Sequence, residues 1–208
     1  MGGIAFIAGA ILGVIVMILH PTAHDLSIPG ELASGARLAV IVHAIAIASA
    51  PVSFLGALAL TRCVDAPGRL GLSALVVYGF GLFAMMVAAS ASGFVSPSLM
   101  KQAAAGTSTT REMLELVIDY NAYINQAFAK IYVVAASIAI AFWSASNGGR
   151  RVFASGIGIY GVLLGTATIL MLVSGHLKLD VHGMGLVMFS QSIWFILVGV
   201  ALLRWTET

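Results

Sequence analysis

Charge is scarce in this sequence. Ten lysines and arginines and eight aspartates and glutamates make up only 9% of 208 residues, with a formal net charge of +2. A soluble domain carries about 25% charged residues, so a fold in water would lack the polar surface to cover itself. The near balance of signs also leaves no basic field for nucleic acid. Cysteine occurs once, at Cys63 in a short predicted loop, which excludes an internal disulfide and a multi-thiolate metal cluster. There is no phosphate-binding loop, dinucleotide glycine pattern, HExxH zinc motif or serine-nucleophile elbow.

Apolar sequence is abundant: 60% of residues are hydrophobic and the mean hydropathy is +1.04. A spanning helix needs about 20 apolar residues. Six runs meet or approach that length, at 3–19, 38–60, 70–95, 122–143, 152–175 and 183–203. The expected fold is therefore all-α, a polytopic integral membrane bundle of six transmembrane helices forming one domain over residues 1–208. The first run is short, but no basic residue precedes it and no small-x-small site follows, so it reads as a span rather than a signal peptide. The chain can also be divided into three hairpins, whose returning helices end near "ALALTR", "AFWSAS" and "VALLRW".

Six spans place both termini on one side. Short segments there hold Arg62, Arg69, Arg150, Arg151 and Arg204, whereas the longer loops opposite (20–37, 96–121 and 176–182) mix Arg37, Lys101, Arg111 and Lys178 with six acidic residues. Basic density in short loops marks the cytoplasmic side, so the expected location is a bacterial cytoplasmic membrane with both termini cytoplasmic. Trp143 and Trp205 fall where an interfacial aromatic belt is expected. Gly9 with Gly13, Gly161 with Gly165, and Ala84, Ala88 and Ser92 form small-residue seams suited to close helix packing within the bundle. Pro51 is expected to kink the second span.

The stretch "TSTTREMLELVIDYNAYINQAFAK" is the least lipid-like helix. Thr109 and Glu112 have capping-box spacing, which predicts a start near Thr110, and no proline or glycine follows until after Ser146. Such a helix is about 55 Å long and extends past the hydrocarbon core. Glu112, Glu115, Asp119, Tyr123, Gln126 and Lys130 recur at three- and four-residue steps and form one stripe. Lys130 lies inside the predicted span and is expected to face the bundle interior, although a lysine can also snorkel along its stem.

All five histidines, His20, His24, His43, His176 and His182, belong to the half of the molecule away from the termini. "HPTAH" spaces His20 and His24 by one helical turn if the helix survives Pro21, and "HLKLDVH" offers His176, Asp180 and His182. Imidazole and carboxylate together suit Zn, Fe or Cu. Asp180 also fits the N-cap of the last span.

Three functions remain open. The first is a metal-dependent enzyme acting on a lipid or small amphipathic substrate, with His20, His24, His176, His182 and Asp180 as candidate ligands. Glu115, Asp119 and Lys130 would then be catalytic candidates, since a carboxylate beside a metal-bound water can take its proton. The second is a b-type haem protein exchanging electrons with a quinone partner, with His43 and His176 as axial candidates. The third is a proton-coupled transporter or channel lined by the acidic stripe.

Overall fold

The computed structural model describes residues 1–20, 32–64, 70–146 and 155–205, with side chains at all of these except 32, 33 and 205. These residues are helical, with no strand among them. The helices are α1 (Gly2–Ile18), α2 (Leu32–Val64), α3 (Leu70–Ser90), α4 (Ser96–Ala105), α5 (Ser108–Ala145), α6 (Ser155–Val173) and α7 (Val181–Trp205). A π-helical segment, Ala91–Val95, joins α3 to α4 without a break.

Among the described residues, five helical runs are long and apolar enough to cross a membrane: Ser34–Val64, Leu70–Ala105, Ser108–Ala145, Ser155–Val173 and Val181–Arg204. Helix α1 is equally apolar but has only 17 residues. It packs between α2 and α7 and closes a ring that continues through α3, α5 and α6. Contact between α6 and α7 is slight, and the backbones of α5 and α7 stand apart.

Small residues make the tight crossings possible. A Cβ on Gly3 would lie 2.8 Å from Leu203 Cγ, and one on Gly165 would run into the backbone of α5 at Ser137. Helices in lipid gain little from burying apolar surface against each other, so this backbone approach supplies much of their attraction. The Gly3–Leu203 contact also puts the start of α1 and the last turns of α7 at one end of the bundle, here the terminal end. The opposite end is the loop end.

The segment 96–121 is not the loop that its polar composition predicts. The continuous run of α3, π segment and α4 passes through Pro97 to Ala105, turns at Gly106 and Thr107, and returns as α5. Proline lacks an N–H and its ring clashes with the carbonyl four residues back, here Gly93. The helix opens into its π turn over Ala91–Val95, just where that clash falls. Asn121 of α5 reaches the same place. Its Nδ2 donates to the Ala91 carbonyl (2.8 Å) and to Ser96 Oγ (2.8 Å). The cap of α5 is Thr107, whose Oγ1 accepts from Thr110 N–H at 3.4 Å, so the helix starts two residues earlier than the Thr110 expectation. With 38 residues, α5 is about 57 Å long. Pro51 sits inside α2 without ending it, and Cys63 lies in the last turn of α2 rather than in a loop.

Five aromatic residues fill the terminal half of the core. Phe6 stacks on Phe195 (centroids 5.2 Å), Tyr78 meets Trp143 edge-on (5.5 Å), and Trp143 stacks on Trp194 (6.3 Å). Trp143 is therefore no interfacial belt residue. It is fully buried, and its Nε1 donates to Thr61 Oγ1 at 3.1 Å. Each aromatic pair contributes about 0.5–1.5 kcal/mol beyond simple burial.

Candidate functional site

Between this aromatic floor and the loop end lies a cavity of about 330 Å³, walled by α1, α2, α3, α5 and α7. The size falls in the range of small-molecule pockets. The cavity exists because α5 and α7 stand apart, and side chains bridge the gap. Gln126 Nε2 donates to the Leu179 carbonyl (3.2 Å), Tyr132 Oη to Met188 Sδ (3.5 Å) and Gln191 Nε2 to Ser137 Oγ (3.1 Å). The walls are mostly apolar, with Val16, Leu82, Met85 and Met184 among them. At the loop end the wall includes Asp180 and Val181, which are exposed, so the cavity reaches the surface there.

Two histidines share the wall near this mouth. His20 closes α1 and His43 lies on α2, with ring centroids 5.1 Å apart at 69°. His43 is buried, and its Nδ1 lies 2.7 Å from the Ala39 carbonyl one turn earlier. A carbonyl only accepts, so Nδ1 carries the proton, and in the neutral ring Nε2 is left as an acceptor. The π segment packs directly on this ring. A Cβ on Gly93 would lie 2.7 Å from His43 Cγ. The π turn opened by Pro97 and held by Asn121 thus forms the back of the His43 site, and π turns recur at functional sites.

At the floor, Gln191 lines the cavity and is only 1% exposed. Its Oε1 has no hydrogen-bond partner. An unpaired buried polar atom costs about 1–3 kcal/mol, so this amide awaits a donor. Two other polar groups on the wall are committed. Ser49 Oγ donates to the Ala46 carbonyl (2.7 Å) and Ser192 Oγ to the Ala10 carbonyl (3.4 Å).

The expected ligand set is only partly assembled. His43 meets His20 rather than His176, which is exposed with Nδ1 2.9 Å from Ser174 Oγ. His182 is exposed as well. Asp180 caps α7, its Oδ1 accepting from Gly183 N–H at 2.8 Å. His24 lies outside the described residues. Among those residues, no three histidine, cysteine, aspartate or glutamate side chains are grouped to hold a metal ion.

The acidic stripe does not enter the bundle. Glu112, Glu115, Asp119, Tyr123 and Lys130 are exposed, and only Gln126 touches the cavity. The interior placement expected for Lys130 is thereby corrected. The buried face of α5 is carried instead by Ala129, Val133, Ala136 and Ile140, small or branched residues that allow close approach to neighbouring helices. If the hydrocarbon core takes the last 20 or so residues of α5, Lys130 is about one turn below the interface, within reach of its own stem.

Sequence reasoning placed His43 beneath the histidines of the loop end but missed Gln191, Asn121 and Gly93. A glutamine amid apolar residues in "FSQSIWF" was the available signal for the first. No family model matches the chain, and no curated protein and no solved structure shows significant similarity to it.

Proposed function

We propose that this protein is an integral membrane binder of a small amphipathic molecule, which enters the cavity from the loop end and rests on the aromatic floor. In this reading α1 is a sixth crossing, and the arginine-dense terminal end is cytoplasmic, so the mouth faces the periplasm. The observation that carries the proposal is the cavity. It is mostly apolar, floored by the rings of Phe6, Tyr78 and Phe195 with Trp143 and Trp194 packed behind them, and polar at His20 and His43 near the mouth and at Gln191 near the floor. Pockets of this kind hold an apolar body and orient it with a few polar groups. The closed floor favours a binding pocket over an open channel.

The proposal is tested by native mass spectrometry of the protein released from nanodiscs. Wild type should carry a small molecule in stoichiometric amount. Ala129→Phe, which places a ring in the cavity wall, should lose it while retaining the helical circular dichroism spectrum. Retention of the same species by the filled variant would overturn the proposal.

A metal ion is the second reading, favoured by the 5.1 Å approach of the His20 and His43 rings. Paired imidazoles are common ligands for Zn, Cu and Fe. Elemental analysis of the purified protein tests it. Stoichiometric metal lost on His43→Leu supports this reading, and a trace amount unchanged by that substitution overturns it.

A further inference from the structure

The polar groups of the cavity are unequal in kind. The hydroxyl donors of Ser49, Ser192 and Tyr132 are spent on carbonyls or sulfur inside the bundle, and so is the Nε2 donor of Gln126. Gln191 Oε1 is buried and unpartnered and His43 Nε2 stands opposite the edge held by Ala39, while Ser92, His20 and the Ser53–Tyr78 pair add groups that can donate or accept. Asn125 at the mouth brings an amide of both senses. No lysine or arginine lines the cavity among the described residues, and the one carboxylate there, Asp180, already caps α7.

From the unpartnered acceptor at Gln191 and a wall without lysine or arginine we infer that the cavity selects a neutral hydrophobe bearing a hydroxyl group, the chemistry shared by a prenyl alcohol and a quinol, over fatty acids and phospholipid head groups. The inference deepens the binding reading above and rests on it. A carboxylate or phosphate set against Gln191 Oε1 would meet an acceptor, with no lysine or arginine on the wall among the described residues to compensate its charge in an apolar enclosure. A hydroxyl would instead supply the proton that Gln191 Oε1 lacks. A site built for a hydroxyl discriminates against an analogue without one, because its own buried acceptor is then left unpaired.

Gln191 and the histidine pair are also well separated. Ser192 bonds to Ala10, and His20 lies ten residues further along α1, which is about 15 Å of helix. One hydroxyl therefore engages one end of the cavity while the apolar body fills the rest.

Three probes with the same fifteen-carbon body test the selection: farnesol, farnesoic acid and farnesene. Binding to wild type in nanodiscs is followed through the emission of Trp143 and Trp194. Farnesol is expected to bind about tenfold more tightly than farnesene, the ratio of one net hydrogen bond, and at least tenfold more tightly than ionised farnesoic acid. Gln191→Met should reduce farnesol affinity about tenfold and leave farnesene unchanged, and the farnesene constant reports that the cavity is intact. If Gln191→Met does not fold, the wild-type ranking of the three probes decides alone.

Duroquinol against farnesol separates the two sources. Tighter binding of duroquinol than of farnesol assigns the site to quinols, and the reverse assigns it to alcohols. Farnesoic acid binding as tightly as farnesol would overturn the selection while leaving the pocket intact. If none of the probes binds, the binding reading itself falls.

Discussion

Replacing Asn121 with leucine removes the two hydrogen bonds that hold the π turn and keeps nearly the same volume. Asn121 is 8% exposed, and both bonds measure 2.8 Å. Each is worth about 1 kcal/mol net. The Ala91 carbonyl, left without its donor by the widened turn, adds a desolvation cost of about 1 kcal/mol. Ser96 Oγ recovers part of its loss by rotating to a carbonyl of its own helix. The expected destabilisation is about 2–3 kcal/mol. For a chain of 150–250 residues this corresponds to a fall in Tm of roughly 5–10 °C, read from tryptophan emission in detergent.

The same variant should loosen the back of the His43 site, because Gly93 rests on that ring. Amide exchange at 91–95 should accelerate, and ligand affinity should fall even though Asn121 does not line the cavity. Glu115→Gln, on the exposed face of the same helix, serves as the control. A Tm within 1 °C of wild type together with unchanged exchange at 91–95 would refute the reasoning, since it would mean that Pro97 alone maintains the π turn.

Gly161→Ala should destabilise the protein by about 1–3 kcal/mol, because its Cβ falls on Ser144 Oγ and the Trp194 indole, whereas Gly156→Ala meets nothing within 4 Å and should be neutral or slightly stabilising; paired thermal melts compare the two. Trp143→Phe should cost about 2 kcal/mol, through the lost bond to Thr61 and the volume removed from the aromatic floor, and denaturant titration in mixed micelles measures it. Lys130→Leu should leave folding and ligand binding within twofold of wild type, because Lys130 stands on the outer face; a loss of binding beyond tenfold in the same nanodisc assay would contradict that placement.

Hydropathy located the helices well, because a spanning run is fixed by composition alone. The runs 152–175 and 183–203 end within three residues of α6 and α7. Polar composition was a poorer guide outside the hydrocarbon. "SPSLMKQAAA" contains a proline and a lysine and read as loop, yet it is helical, since a π turn absorbs the proline and an asparagine 25 residues away accepts the consequence. The histidines show the same limit. His43 could be placed by depth from its position on the second span, but its partner depended on the directions in which side chains leave two helix ends. The cap of α7 by Asp180 is readable from its place before the last span and is observed, but the Ser174 contact of His176 is not reported by periodicity. Lys130 lies eighteen residues, or about five whole turns, after Glu112 and shares its face; three- and four-residue steps report which residues share a face, not whether that face turns inward, and here it is exposed.

The closure of the ring by α1 and α7 has a consequence for biosynthesis. Ser192 meets Ala10 across 182 residues of sequence. At a synthesis rate of 5–20 residues per second, the first helix waits roughly 10–35 s for its second neighbour. During that interval its Gly13 face, which ends against Met188, is open to lipid or to the insertion machinery. The cavity lacks one of its five walls until the last helix arrives, so a nascent chain held before α7 should have nowhere to bind a ligand, and ligand capture has to wait for α7.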